Sequence, residues 1–172
     1  HKLSKAVEQS PASIIITDIK GNIEYSNPKV TEITGYQFSE LRGKNPRIFR
    51  GGEKLVSDYK LLWDTISSGE EWRGEFHNKK KNGELYWESA SISAIKNNKG
   101  EIIHYLAVKE DITENKKISE ELIRSKEKAE ESTKLISSFL TNLSHEIRTP
   151  MNGLLGFMDL LRAKEIPSED KE

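Results

Sequence analysis

Between Thr113 and Thr149 the chain contains no glycine and no proline, and this absence limits what it can fold into more than any other feature. With nothing to loosen or break a helix, the stretch predicts one uninterrupted α-helix of about 50 Å at ~1.5 Å per residue. Ile118, Leu122, Ser125, Ala129, Ser132, Ile136, Phe139 and Leu143 recur along it at alternating spacings of four and three, with Lys and Glu between them. That alternation is the a/d seam of a coiled coil. A lone helix of this kind buries no apolar surface, so the stripe predicts a second helix against it. The step of four from Leu143 to Ile147 follows another step of four, a stutter that relaxes the supercoil. Pro150 lacks an N–H and crowds the carbonyl of Glu146, which predicts a bend; Met151, Leu154, Met158 and Leu161 resume the stripe beyond it.

The stutter lies within Ser144-His145-Glu146-Ile147-Arg148-Thr149-Pro150-Met151-Asn152. A neutral imidazole accepts a phosphoryl group when one ring nitrogen is free and open to a donor, and a neighbouring carboxylate takes up its proton. His145 and Glu146 supply that pair. Two residues from Leu143 is about 200° around a helix, so His145 faces away from the seam. Thr149, at i+4, shares the face of His145, where a hydroxyl orients water toward a modified ring. His1, His77 and His104 stand in no such context and read as ordinary surface residues.

From Ser13 to Val108 the pattern is shorter and mixed. Ser13–Thr17 is β-branched, and Lys20-Gly21-Asn22 turns it into Ile23–Tyr25 as a hairpin. Asn27-Pro28 opens a helical patch, Asn as cap and Pro in the first turn. Leu55, Tyr59, Leu62 and Ile66 fall on one helical face that stops at Gly69. Three strands follow, Trp72–Lys79, Leu85–Ile95 and Ile102–Lys109. Asn82-Gly83 predicts a type I′ turn between the first two, and Asn98-Lys99-Gly100 marks the next.

Composition closes several routes. With 27 basic and 28 acidic side chains the net charge is −1, which gives no general attraction to nucleic acid. Absence of Cys excludes disulfides, thiolate nucleophiles and Cys-rich zinc sites, and no metal site is expected. No apolar run is long enough to span a bilayer. A start at His1 without a leader pattern reads as a piece of a longer protein, cytoplasmic here even where the whole is membrane-anchored.

Two resemblances give these patterns a meaning. The order of strands and helices, with Glu8-Gln9-Ser10-Pro11, Thr34-Gly35-Tyr36, Gly43-Lys44-Asn45-Pro46 and Asp111-Ile112-Thr113, resembles the PAS fold over Leu3 to Thr113. The fold class it implies is α+β, a five-stranded antiparallel sheet with helices on one face, followed here by a long coiled-coil helix. The segment around His145 resembles the H-box of sensor histidine kinases. That resemblance implies His145 as acceptor of the γ-phosphoryl of ATP, Glu146 as assisting base, and Thr149 as the residue positioning water for dephosphorylation. It also implies a parallel homodimer, a response-regulator receiver domain as partner, and ATP with Mg2+ in the full-length kinase. The division expected is a PAS sensor at 1–113, a signalling linker helix at 114–135 and the first helix of a dimerisation and phosphotransfer domain at 136–172. No Asn-rich or Gly-rich box of an ATP-binding domain is present, so the segment alone is expected to be inactive. A second reading is a non-catalytic PAS module that binds a ligand or flavin and dimerises.

For the PAS half, Gly43–Arg50 resembles the photoactive loop of LOV domains, with Pro46 where their adduct-forming Cys stands. Asn78 falls at one of their flavin-binding Asn positions and Glu88 departs from another. Trp63 and Trp72 resemble tryptophans of redox flavin sensors and are expected in the core. Adduct chemistry is excluded, and neither flavin nor haem is expected, the helix from Glu53 to Ser68 having no His. The PAS ligand is left open.

Overall fold

The computed structural model describes residues 2–51 and 56–164. Leu55 of the expected helical face and residues 165–172 of the expected phosphotransfer segment lie outside the described residues. The chain divides into two compact units, His1–Ile118 and Ser119–Glu172.

The first unit is α+β, as expected. It holds one antiparallel sheet of β1 (Ser13–Thr17), β2 (Ile23–Ser26), β3 (Trp72–Lys79), β4 (Leu85–Lys96) and β5 (Ile102–Asp111) in the order β2-β1-β5-β4-β3. The last strand enters the middle and joins the two hairpins. Parity then decides burial: Ile15 and Thr17 on β1, Tyr86, Glu88 and Ala90 on β4, and Tyr105, Ala107 and Lys109 on β5 all turn to the inner face. Against that face lie α2 (Pro28–Thr34), α3 (Phe38–Leu41), a 3-10 turn (Pro46–Phe49) and α4 (Val56–Ser67). Ile15, Ile23, Val30, Leu41 and Phe49 form one apolar cluster; Leu62, Ile66, Trp72, Phe76 and Tyr105 form another. Each such side chain contributes about 1.5–3 kcal/mol through burial.

Two local expectations are corrected. Asn27 does sit at the N-cap of α2, but its side chain does not cap. It is fully buried, accepts from Ile14 N–H at 2.9 Å and donates to the carbonyls of Val7 and Ala12. These three bonds tie the segment after α1 (Lys2–Glu8) to the sheet, and a buried amide gains more by satisfying all of them than by closing one exposed helix end. Asn82-Gly83 does not form a type I′ turn. Gly83 N–H bonds Lys80 C=O at 3.0 Å and Lys80 N–H bonds Glu84 C=O at 2.8 Å, so the loop is one residue longer, with Gly83 at φ 92° as its final member. Asp18–Asn22 and Asn97–Glu101 close by the same pair of bonds, with Gly21 and Gly100 at positive φ. This three-residue loop preserves strand twist while needing only one left-handed residue.

The second unit lies on α5 (Thr113–Lys164), which runs unbroken through Pro150. The first turn of α5 belongs to the first unit, where Ile112 N–H bonds Trp87 C=O, Trp87 N–H bonds the Thr113 hydroxyl at 2.9 Å, and Lys116 Nζ meets Glu75 at 2.6 Å. Beyond it the apolar stripe is uncovered, with Ile136, Phe139 and Ile147 all more than half exposed.

Candidate functional site

His145 lies on the exposed surface of α5, and among the described residues no side chain bonds its imidazole. Helical geometry puts it about 200° from Leu143 and about 160° from Ile147, on the face opposite the apolar stripe. Glu146 is its exposed neighbour, about 100° around the axis. Thr149 comes back to His145 through the backbone, its Oγ1 donating to the His145 carbonyl at 3.1 Å. Ser144 and Thr141 bond the carbonyls four residues before them in the same way, at 2.8 and 2.9 Å. Such back-bonding holds a hydroxyl in one rotamer and spends its hydrogen, so Thr149 retains its oxygen as an acceptor for water. Pro150 removes the amide that Glu146 C=O would otherwise have met. The three residues singled out from the sequence are thus adjacent, exposed and on one side of one helix.

A second cluster, largely unread in the sequence, lies in the first unit. Between the sheet and the helices is a cavity of about 670 Å3, walled by Ile15, Trp63, Phe76 and Tyr105 and reached by the polar side chains of Asn78 and Lys109. Lys109 Nζ is 2.5 Å from Glu88 Oε1, with both side chains more than nine-tenths buried. Asn78 Nδ2 donates to the same oxygen at 2.7 Å, and the Tyr86 hydroxyl donates to Glu88 Oε2 at 3.2 Å. Burial first, and then the charge of Glu88, pushes the Tyr86 phenol well above its usual range. Glu88 therefore accepts three donors, which is what makes a buried carboxylate tolerable. The sequence places Asn78 and Glu88 by resemblance, but Lys109 was missed. Its signal was strand parity: Lys109 shares a face with Tyr105 and Ala107, and Glu88 with Tyr86 and Ala90. Trp72 is buried as expected, and Trp63 packs edge-on to Tyr105 at 5.8 Å in the cavity wall.

Residues 11–114 match the family model for the PAS domain, more than half of the chain. The chain belongs to the PAS domain family. Behind this PAS domain, residues 135–172 match the His Kinase A (phospho-acceptor) domain, so His145 sits inside a recognised phosphoacceptor segment. The chain is 32% identical over 164 residues to hybrid signal transduction histidine kinase L of Dictyostelium discoideum, covering 94% of this chain and 9% of that protein. Over 107 residues it is 36% identical to a nitrogen fixation regulatory protein of Klebsiella oxytoca, covering 62% of this chain and 22% of that one. It thus spans less than a quarter of either relative. Among solved structures, an RNA-binding light-oxygen-voltage receptor superimposes with a TM-score of 0.65 at 22% identity, covering 72% of this chain and 36% of that one. That likeness concerns the PAS fold. Among the described residues no helix is long and apolar enough to cross a membrane.

Proposed function

We propose that this chain is the sensor-to-phosphoacceptor part of a two-component histidine kinase, in which a PAS input at 1–113 acts through a linker helix at 114–135 on a phosphotransfer helix at 136–172. The observation that carries the reading is the arrangement of His145: exposed, opposite the apolar stripe, with Glu146 next to it and Thr149 fastened to its carbonyl. In this reaction a ring nitrogen of neutral His145 attacks the γ-phosphorus of ATP. The bond to the ADP oxygen breaks, an N–P bond forms, and the proton on the other ring nitrogen passes to Glu146. ATP and its Mg2+ are brought by an ATP-binding domain. The phosphoryl group then passes to an Asp of a response-regulator receiver domain, and water held at Thr149 returns the regulator to its resting state. Two copies pair through the stripe in a parallel homodimer, in the cytoplasm.

The test is phosphorylation of the full-length kinase with labelled ATP. Acid-labile label on His145 is expected, lost completely in His145→Gln with the circular dichroism spectrum unchanged, because an exposed side chain contributes little stability. Thr149→Ala should slow dephosphorylation of the regulator several-fold more than it slows labelling. Persistent label in His145→Gln sinks the assignment; equal losses in Thr149→Ala make that residue structural.

A further inference from the structure

Asparagine followed by glycine occurs twice in the chain, at Asn82-Gly83 and Asn152-Gly153. The pair is chemically weak, because glycine has no Cβ to keep its amide nitrogen away from the carboxamide before it. The structure puts the two in opposite settings. Asn82 lies exposed in the loop between β3 and β4, where its Oδ1 accepts from Glu84 N–H at 3.0 Å. Its side chain is thus folded forward along the chain, over the peptide that carries Gly83 N. Gly83 stands at φ 92°, with open space where a Cβ would be. Asn152 lies inside α5. Side chains on a helix tilt back toward its N-terminus, away from the amide that follows, and that amide is held in the helical ladder.

The bond from Glu84 N–H also falls where charge develops. When Gly83 N gives up its proton and attacks Asn82 Cγ, negative charge gathers on Oδ1, and a backbone donor already aimed at that oxygen lowers the barrier. What must open first is the bond from Gly83 N–H to Lys80 C=O at 3.0 Å, a single hydrogen bond at the surface. We propose that Asn82 is a site of spontaneous deamidation: Gly83 N bonds to Asn82 Cγ, the Cγ–Nδ2 bond breaks and ammonia leaves with the proton, and water opens the five-membered imide to aspartate or isoaspartate. The two other three-residue loops carry Lys before the corresponding glycine, Lys20-Gly21 and Lys99-Gly100, so they lack the reacting carboxamide. Aspartate leaves the loop its length. Isoaspartate routes the backbone through Cβ and adds an atom between Lys81 and Gly83, so the two bonds of Lys80 that close the loop no longer fit together. Lys81 pins this loop to the helices, its N–H on Thr34 C=O at 2.8 Å and its Nζ on Glu40 at 2.7 Å. The modification therefore acts on a tertiary contact, and the inference is independent of the kinase reading.

The experiment ages the whole chain in neutral buffer at body temperature, folded and in strong urea, and follows the tryptic peptides 82–96 and 149–162 by mass spectrometry after a brief digestion. In the folded chain, peptide 82–96 should gain the mass of one NH2-to-OH exchange and accept label from an isoaspartyl methyltransferase. It should do so at least about tenfold faster than peptide 149–162, a difference of about 1.4 kcal/mol in barrier. In urea the two Asn-Gly steps should convert at similar rates, because the contrast belongs to the fold. On ion exchange the aged chain should develop an acidic variant, which Asn82→Lys, copying the other two loops, should not form. Unmodified Asn82 in the folded chain, equal rates at the two sites when folded, a contrast that persists in urea, or an acidic variant that still forms in Asn82→Lys overturns the proposal.

Discussion

Phe49 is 1% exposed and Phe139 is 62% exposed, in the same chain. The first closes a core between sheet and helices that the PAS domain completes by itself. The second belongs to a stripe with nothing of its own chain against it among the described residues. Both obey the same hydrophobic effect, but folding of one molecule satisfies only the first; the homodimer proposed above would satisfy the second. Stability in the first region is therefore a property of one molecule. In the second, the proposed homodimer would make it depend on concentration.

The largest expected effect breaks that contrast most directly. Phe49→Ala should cost about 3–5 kcal/mol, the range for a buried Phe truncation, and lower the melting temperature of the PAS domain equally at every protein concentration. Phe139→Ala should leave that transition in place and instead weaken the dimer. Calorimetry over a concentration series separates the two, and equal loss of sheet stability in both variants would mean the regions are not independent. A smaller effect sharpens the geometry of the second region. Native Cys is absent, so Ile136→Cys should cross-link readily under mild oxidation while Lys134→Cys, off the stripe, lags several-fold; equal cross-linking would dismiss a parallel seam.

The smallest effect is electrostatic and confined to the sheet. Hydrogen bonds from Asn22, backbone first and then side chain, hold the Asp18 carboxyl below its usual 3.8. A carboxyl lowered on folding adds stability above its unfolded pKa and loses it as pH falls through the folded one. Acid below about pH 4 should thus loosen the β1–β2 loop, a dependence that Asp18→Asn removes. Carboxyl chemical shifts against pH give the reading, and an Asp18 titrating at or above the ordinary value would count against it.

Legibility in the sequence follows the same division. The helix was plain because its signal repeats over many turns, and the proposed site of His145, Glu146 and Thr149 could be picked out because these residues are neighbours on it. The five strands were legible because β1 is β-branched almost throughout and the others are short runs with apolar or aromatic residues set off by the glycine turns at Gly21, Gly69, Gly83 and Gly100. What escaped was short or non-local. α1, α3 and the 3-10 turn are too brief to carry a period. Asn82-Gly83 announced a hairpin but not its length, because loop register is decided by the pairing of Lys79 with Leu85. The Glu88–Lys109 pair hid for another reason: charged residues on strands read as outward-facing, and only their parity with Tyr86 and Tyr105 contradicts that.

The joint at Trp87 has a consequence for how such a chain tolerates change in length. Because Ile112 N–H and Thr113 Oγ1 continue the β4–β5 ladder into the first turn of α5, no slack residue lies between strand and helix. One residue inserted just past that turn would rotate every later side chain on α5 by about 100°, and seven would return them to within about 20° of where they began. Under the proposed relay, tolerance to insertion and deletion along this helix should therefore be periodic.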